Sequence, residues 1–397
     1  MYSIITLKAG REKNLLQGHP WIFSQAIDRY DDKLQLGDLC AIHDSAKNFL
    51  AIGFFNPNTD IAVRVVTRKA QVLDAKFFQQ RLADLKEQKE EFLPADTDSY
   101  RLVFAESDNL PGLIIDKYAN TLVLQFHILG MERFRNEIVE TLKNIFPEIG
   151  CIYLKPSRNV SGLEGELQRS AEVLYGTLPE DLVISENGLS FKVDLLTGQK
   201  TGFFLDQRQN REAITLYTKG RKVLNCFSYT GSFSVYAATK GSAKFVCSVD
   251  VSEPAIRLAE ENFAINKLDA NEHKFLVQDV FDHLNEIKPS EYDLIIIDPP
   301  SMARKRNQVK QAIKAYTSLN TKALNKLPEN GILVTSSCTT HIDELTFIKI
   351  IHQSAVNAGC QLKVLHSATQ PHDHPYNLSF PEGKYLKFYI LQKSKVS

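Results

Sequence analysis

A carboxylate and a thiol follow two apolar segments of this chain, and together they could do covalent chemistry. Asp298 comes directly after the isoleucines 295–297 and directly before two prolines. Proline lacks the N–H that a sheet requires and disfavours helical backbone in the preceding residue, so a strand must end at Asp298. A second apolar segment, residues 331–335, continues through two serines to Cys338. We therefore expect both side chains at the carboxyl edge of one sheet, where α/β proteins bind their ligands.

A glycine-containing turn further upstream predicts a nucleotide-type site. Residues 222–227 have the apolar pattern of a buried strand and residues 233–240 that of a helix, with Gly231 in the turn between them. The next predicted strand, residues 245–249, ends at Asp250. An acidic residue about twenty positions after such a turn is where these folds bind ribose hydroxyls.

The pattern excludes two phosphate-binding sites. A dinucleotide would require Gly-x-Gly-x-x-Gly, but the turn contains only Gly231. Residues 198–201 are similar to the tail of a P-loop, yet they have no glycine directly before Lys200 and no strand leading into them. Asp279 also follows a predicted strand, residues 274–277, so consecutive strands end at polar residues. With both phosphate-binding loops excluded, this arrangement favours an adenosine that lacks phosphates as the ligand.

Five segments, in this order, resemble the motif series of class I S-adenosylmethionine-dependent methyltransferases: residues 226–231, 250–252, 279–280, 298–301 and 336–338. More narrowly, residues 201–208 and 373–375 are similar to the RlmI family of 23S ribosomal RNA cytosine-5 methyltransferases. Residues 8–27, with Gly-His-Pro-Trp-Ile-Phe, are similar to the PUA domain of that family, an RNA-binding module. The resemblance covers nearly the whole chain.

The resemblance implies S-adenosyl-L-methionine as the cofactor. The cofactor-binding residues that it implies are Phe227, Ser228, Tyr229, Thr230, Gly231, Asp250, Val251, Ser252, Asp279, Val280, Asp298 and Pro299. Asp250 and Asp279 could each simply cap a turn. Their shared position at consecutive strand ends favours the cofactor.

The resemblance also implies catalytic roles for Cys338 and Asp298. The Cys338 thiolate would add to C6 of a cytosine so that C5 takes the methyl group, and Asp298, protonated or sharing a proton, would hydrogen-bond the N3/N4 edge of the ring. Many RNA cytosine-5 methyltransferases carry a second cysteine where this chain has Ser301. The group that removes the C5 proton therefore stays open, and an inert, partly buried thiol is the alternative for Cys338.

The predicted fold class is α/β, with three domains. Residues 1–70, with short strands and turns, predict a small β-barrel, which the resemblance identifies as PUA-like. Residues 71–180 predict an α+β middle domain that includes a helix over 131–146. Residues 181–397 are predicted to form a Rossmann-like methyltransferase domain, joined through a hairpin at Asn187-Gly188. From the family's sheet order we expect its last two strands to be an antiparallel pair.

Composition is consistent with a multidomain enzyme outside the membrane. The 397 residues exceed one typical core, no apolar run has membrane-spanning length, and the first ten residues lack the pattern of a signal peptide. We expect a cytoplasmic protein with no membrane partner. The six cysteines show no paired spacing and should be reduced thiols. His372, Asp373 and His374 lack a further ligand at a suitable spacing, so we expect no metal site.

Charge distribution points to RNA although the net charge is zero. Between Pro299 and Pro328 the chain has basic residues and no acidic one: Arg304, Lys305, Arg306, Lys310, Lys314, Lys322 and Lys326. We expect Arg304, Lys305 and Arg306 to bind the RNA backbone near the site, and the later lysines to lie on a solvated helix face. Arg208 could contact the methionine carboxylate or an RNA phosphate, or pair with Asp206.

The predicted activity is formation of 5-methylcytosine in 23S ribosomal RNA, free or in a large-subunit precursor. Methylation of guanine N7, which needs no thiol, is the main alternative. An exocyclic amine is less favoured, because Ser301 cannot stack on a base as the aromatic residue usual at that position does. A non-catalytic RNA-binding assembly factor is the third alternative, which the retained Asp250, Asp279 and Asp298 disfavour. The oligomeric state stays open, with a homodimer as one alternative.

Overall fold

The protein divides into two compact units. The computed structural model describes residues 2–157, 162–165, 167, 170–303 and 305–395. The first unit comprises residues 1–187, 193–205 and 372–383. The second unit comprises residues 188–192, 206–371 and 384–397. Segments 193–205 and 372–383 thus belong to the first unit, whereas the sequence placed them in the carboxyl-terminal domain.

The first unit begins with a six-stranded sheet and one helical turn, α1 (Lys13–Leu16). The strands are β1 (Ser3–Leu7), β2 (Trp21–Phe23), β3 (Ile27–Tyr30), β4 (Leu39–His43), β5 (Phe49–Phe55) and β6 (Ile61–Thr67). Their order is β2-β6-β5-β4-β1-β3, with β1 and β4 parallel and the other neighbours antiparallel. Alternate side chains such as Cys40 and Ile42 are buried in one core, which confirms the short strands predicted here.

A second sheet in the same unit has the order β11-β10-β9-β8-β7. Its strands are β7 (Tyr100–Phe104), β8 (Leu113–Tyr118), β9 (Thr121–Phe126), β10 (Cys151–Leu154) and β11 (Glu172–Gly176). The helices of this region are α2 (Ala75–Glu91), α3 (Leu129–Glu132) and α4 (Arg135–Ile145).

The single helix predicted over 131–146 is wrong, because α3 ends before α4 begins. Phe134 lies between the two helices with φ −96° and ψ 18°. Its ring packs near Phe54 and Phe78, at centroid distances of 6.1 and 5.1 Å. The break in the helix thus coincides with the contacts of this ring, in a segment whose local pattern is continuous.

The predicted turn at Asn187-Gly188 separates two strands, β12 (Leu182–Glu186) and β13 (Leu189–Val193). The φ angles are 50° at Asn187 and 73° at Gly188. Two consecutive positive φ angles are typical of the type I′ turn, which asparagine followed by glycine adopts readily. The chain passes from the first unit to the second at this turn.

The second unit contains a seven-stranded sheet with the order β16-β15-β14-β17-β18-β20-β19. Its strands are β14 (Lys222–Cys226), β15 (Phe245–Asp250), β16 (Lys274–Val277), β17 (Leu294–Ile297), β18 (Ile332–Ser337), β19 (Cys360–Ala368) and β20 (Lys387–Lys395). The first five in this order are parallel, whereas β20 is antiparallel to both β18 and β19. The antiparallel pair expected at the carboxyl terminus is therefore confirmed.

Helices connect the parallel strands. Several of them begin after a serine or aspartate, the residue types that commonly cap helices. The helices are α5 (Arg208–Thr218), α6 (Ser232–Ala238), α7 (Glu253–Ile265), α8 (Val280–Glu286), α9 (Val309–Lys326) and α10 (Glu344–Asn357). Ser252, Asp279 and Asp343 each accept a backbone N–H in the first turn of the helix that follows. In the described part of the chain, no helix combines the length and the apolar character needed to cross a membrane.

Candidate active site

Asp298 lies where the sequence predicted, directly after the fully buried strand β17. Strand β17 lies between β14 and β18, and Ile297 pairs with Cys226 on one side and Thr335 on the other. The Asp298 carboxylate is partly buried and accepts a hydrogen bond from the hydroxyl of Ser336. The neighbouring strand therefore orients the carboxylate at the sheet edge.

A glutamine that sequence reasoning passed over also holds Asp298. Gln207 Nε2 donates to Asp298 Oδ1 at 3.0 Å, and Gln207 is only 3% exposed. Its Oε1 atom accepts from Asn210 Nδ2 at 2.6 Å. The Asp-Gln-Arg segment was noted in the sequence, but nothing in its local pattern indicates contact with a residue 91 positions away.

Cys338 follows β18 at the same edge and differs from every other cysteine of the chain. It is partly exposed, whereas Cys40, Cys151, Cys226, Cys247 and Cys360 are buried. Burial raises the pKa of each of these five thiols. Of the six cysteines, Cys338 is thus the one that solvent and a substrate can reach. This accessibility disfavours the interpretation of Cys338 as an inert core thiol.

A buried tyrosine hydrogen-bonds the side chains of the residues on either side of Cys338. Tyr316 Oη lies 3.1 Å from Ser337 Oγ and 2.9 Å from Thr339 Oγ1. Burial, followed by the charges of Cys338 and Asp298, raises the pKa of Tyr316 to about 12, so the phenol is neutral. Ser301 Oγ lies 3.4 Å from Thr339 Oγ1, which places Ser301 close to the residue after Cys338.

The predicted turn after β14 has an unusual backbone. Phe227, Tyr229 and Gly231 have φ angles of 59°, 48° and 74°. Positive φ is uncommon for residues other than glycine and clusters at ligand sites. A Cβ atom at Gly231 would lie 2.8 Å from the Ala259 Cβ on α7, so the turn and that helix approach each other as only glycine allows.

Asp250 organises this turn through hydrogen bonds from backbone N–H groups. Its carboxylate accepts from the Tyr229 N–H and the Ser252 N–H, each at 2.9 Å. Val251, the next residue, is 66% exposed. An acidic side chain and an exposed apolar side chain thus lie beside the turn.

Asp279 occupies the predicted strand end but is also a helix cap. Its Oδ1 atom accepts from the N–H groups of Phe281 and Asp282, at 2.8 and 3.3 Å. Asp279 therefore has the capping role that the sequence analysis gave as the alternative to cofactor binding. Val280 is buried in the core, at 1% exposure.

The predicted basic residues fall into two groups. Lys305, Arg306, Lys310 and Lys314 are exposed, and none makes an ion pair with a residue that the structure describes. Arg304 lies outside the described residues. Lys322 and Lys326 are half-buried and donate to Asn285 Oδ1 and to the Asn285 and Ile287 carbonyls, so they do not lie on the solvated helix face predicted for the later lysines.

Arg208 differs from the other predicted RNA contacts because it is buried. It begins α5 and is 3% exposed. This position disfavours contact with an exposed RNA backbone.

Comparison with known proteins places this geometry in a family. Residues 5–68 match the PUA-like domain family, and residues 166–343 match a family of S-adenosylmethionine-dependent methyltransferases. The ribosomal RNA large subunit methyltransferase I of Tolumonas auensis is 40% identical over 99% of this chain and 100% of its own length. Its namesake in Vibrio vulnificus is 39% identical over 98% of both chains.

The chain belongs to the ribosomal RNA large subunit methyltransferase I family. It therefore combines a PUA-like domain with a Rossmann-like S-adenosylmethionine-dependent methyltransferase domain, which confirms the predicted fold class and cofactor. A crystal structure of a candidate methyltransferase complexed with S-adenosylhomocysteine is 28% identical. It covers 98% of this chain and 99% of its own, with a TM-score of 0.84.

The glycine turn of this family member has the chemistry that S-adenosylmethionine requires. Ser228 Oγ and Thr230 Oγ1 are buried, and no residue that the structure describes hydrogen-bonds them. A buried polar group without a partner costs about 1–3 kcal/mol, so polar atoms of a ligand would stabilise the turn. Val251, beside the turn, is an exposed apolar side chain. These residues fit the cofactor that the family uses.

Segment 372–374 has a structural role in the first unit. Asp373 and His374 are each 1% exposed, and Asp373 Oδ2 accepts from the Arg101 N–H at 2.9 Å. Among the described residues, no group of three or more His, Cys, Asp or Glu side chains could hold a metal ion.

Proposed function

We propose that this protein methylates C5 of a cytosine in 23S ribosomal RNA, with Cys338 as the nucleophile and Asp298 as the group that binds the base. The observation that carries the proposal is the position of these two residues at the ends of adjacent strands. Ser336 links them, because it hydrogen-bonds Asp298 and lies two residues before Cys338. The relatives' names support the substrate, since they are ribosomal RNA large subunit methyltransferases.

The chemistry needs a thiolate because cytosine C5 is a weak nucleophile. The Cys338 Sγ would form a bond to C6, and the π electrons of the C5=C6 bond would move to C5. The bound S-adenosylmethionine would supply its methyl group to that carbon and leave as S-adenosylhomocysteine. Once a base takes the C5 proton, the electron pair of the C5–H bond restores the double bond, and Cys338 leaves C6 as a thiolate.

Asp298 would act on the opposite edge of the base. A carboxyl group at the N3/N4 edge can hydrogen-bond the ring and stabilise the negative charge that develops after thiolate addition. Gln207 and Ser336 hold the Oδ1 atom, so the orientation of the carboxyl group is set before the base arrives.

For the cofactor we propose six of the twelve residues that the sequence indicated. Ser228, Thr230 and Gly231 supply the turn, Asp250 and Val251 suit the ribose and adenine, and Asp279 lies at the next strand end. For RNA we propose the exposed Lys305 and Arg306, together with Arg304, as backbone contacts. The PUA-like domain would supply a second RNA-binding surface.

A trapping experiment tests this function. The protein and S-adenosylmethionine are incubated with 23S ribosomal RNA, free and in large-subunit particles, that contains 5-azacytidine or 5-fluorocytidine. Neither analogue has a C5 proton to lose, so the Cys338 bond to C6 should persist in denaturant. We expect an adduct with the natural protein, none with Cys338→Ala, and an undiminished adduct with Cys360→Ala as the matched cysteine control.

Two results would contradict the proposal. If Cys338→Ala still transferred methyl groups to unmodified RNA, the nucleophile would be wrong and guanine N7 would become the better candidate. If the natural protein bound S-adenosylmethionine but methylated neither RNA nor particles, the protein would instead be an RNA-binding assembly factor.

A further inference from the structure

A buried lysine lies beside Cys338, and neither the family resemblance nor the proposed chemistry uses it. Lys387 is the first residue of β20 and pairs with Ser337, the residue before Cys338. It is 4% exposed. Lysine is rarely buried to this extent without a carboxylate, yet no described carboxylate lies within ion-pair distance of Nζ.

Backbone carbonyl groups hold the Lys387 ammonium group. Its Nζ donates to the carbonyl oxygens of Thr339 and Tyr385, each at 2.8 Å. Thr339 is the residue directly after Cys338, so this lysine fixes the backbone on one side of the thiol. Tyr316 fixes the side chains of Ser337 and Thr339.

Among the charged groups around Lys387, Cys338 has the largest effect on its pKa. Burial lowers the pKa of Lys387 to about 8, and the largest opposing influence is Cys338, ahead of Asp343 and Glu344, while Lys384 lowers it slightly. The two carboxylates are otherwise engaged. Asp343 Oδ1 caps α10 at the Thr346 N–H, and Glu344 pairs with Lys384 and accepts from Tyr389 Oη.

Two described titratable groups near the Cys338 segment, Tyr316 and Asp298, carry no positive charge. Tyr316 is neutral because its pKa is raised to about 12, and Asp298 can only be neutral or negative. At neutral pH Lys387 is still largely protonated. An ammonium group close to a thiol favours the thiolate, as a thiolate favours the ammonium.

We propose that Lys387 is a positioning residue that holds the Cys338 segment and stabilises the Cys338 thiolate. The catalytic use of this thiolate rests on the proposed function, but the charge relation between the two side chains does not. Lys387 would thus prepare the nucleophile before RNA binds.

The pH dependence of alkylation in the full-length protein measures this relation directly. Iodoacetamide reacts with the thiolate, and the five other thiols are buried, so mass spectrometry of the Cys338 peptide gives its rate at each pH. We expect Lys387→Met to raise the midpoint by roughly one pH unit and to slow alkylation at pH 7 about tenfold. Lys387→Arg should restore most of the rate because it keeps the charge.

Lys393 provides a matched control on the same strand. Its Nζ also donates to two backbone carbonyls, those of Leu324 and Leu327, at 2.7 and 2.6 Å. Lys393→Met should therefore lose a comparable structural contact and leave the midpoint unchanged. A purely structural role for Lys387 would give the same midpoint in all four proteins, which would overturn the proposal.

The result is separable from the trapping experiment. If Cys338 forms no RNA adduct but Lys387→Met still shifts the alkylation midpoint, the proposed function fails and the charge relation stands. If the adduct forms and the midpoint does not move, Cys338 is the nucleophile and Lys387 does not set its charge.

Discussion

At the scale of single residues, the carboxylate of Asp298 depends on a partner that comes from another part of the chain. Gln207 is buried, and its amide donates to Asp298 Oδ1. Asn210 in turn holds the glutamine oxygen, so the amide can present only its nitrogen to the carboxylate. A fixed orientation of this kind matters because a misplaced group loses much of its effect on a developing charge.

We expect Gln207→Leu to lower kcat by roughly 10- to 100-fold, because a hydrogen bond to a charged group contributes about 1.5–3 kcal/mol. The affinity for S-adenosylmethionine should change little. Steady-state methylation of ribosomal RNA and calorimetric titration with the cofactor would separate the two effects. Gln353→Leu, on the exposed face of α10, serves as the control. An unaltered kcat in Gln207→Leu would show that Asp298 needs no such support.

At the scale of elements, Asp279 shows how one side chain can satisfy two interpretations. It is the N-cap of α8 and accepts two backbone N–H groups, and it also lies at the end of β16 among the proposed cofactor residues. A serine at this position can cap the helix but has no carboxylate. A substitution by serine can therefore separate the capping role from the proposed cofactor-binding role.

We expect Asp279→Ala to lower the free energy of unfolding by about 1 kcal/mol and Asp279→Ser to preserve it. Both variants should bind S-adenosylmethionine about tenfold or more weakly, because both lack the carboxylate. Thermal denaturation and calorimetry would test the pair. Wild-type affinity in Asp279→Ser would leave Asp279 as a helix cap alone.

At the scale of the whole molecule, a buried lysine of the first unit pairs with a carboxylate and also hydrogen-bonds a segment that is distant in sequence. Lys89 on α2 contacts both carboxylate oxygens of Asp108, at 2.9 and 3.2 Å, and also the Asp373 carbonyl at 3.0 Å. The side chains of Lys89 and Asp108 are 3% and 5% exposed. This contact explains how residues 372–383 belong to a unit formed mainly by the first half of the chain.

We expect Lys89→Met to lower the free energy of unfolding by about 3–5 kcal/mol, because it leaves the Asp108 carboxylate buried without its cation. Urea denaturation would measure the loss. Lys143→Met breaks the ion pair with Glu140 on the surface of α4, where we expect less than about 1 kcal/mol. Equal losses in the two variants would refute the role given to burial.

The sequence by itself determined the features that arise from local physics. Two prolines end the strand at Asp298, apolar segments mark the strands, and Asn187-Gly188 adopts the turn that its residue types favour. These patterns were enough to predict an α/β sheet with Asp298 and Cys338 at one edge, and the resemblance to a known family supplied the rest of the fold class. The prediction from local pattern was wrong at Phe134, where the helix is divided and the ring packs against rings that are distant in sequence.

Only the tertiary structure decided which polar groups meet. Gln207 reaches Asp298, and Lys387 reaches the Thr339 carbonyl beside Cys338, across 91 and 48 positions of sequence. Hydrogen bonds between such groups leave no periodic signal, since they depend on strand order and register rather than on neighbouring residue types. The partners that prepare the carboxylate and the thiol therefore became visible only when the strands were placed side by side.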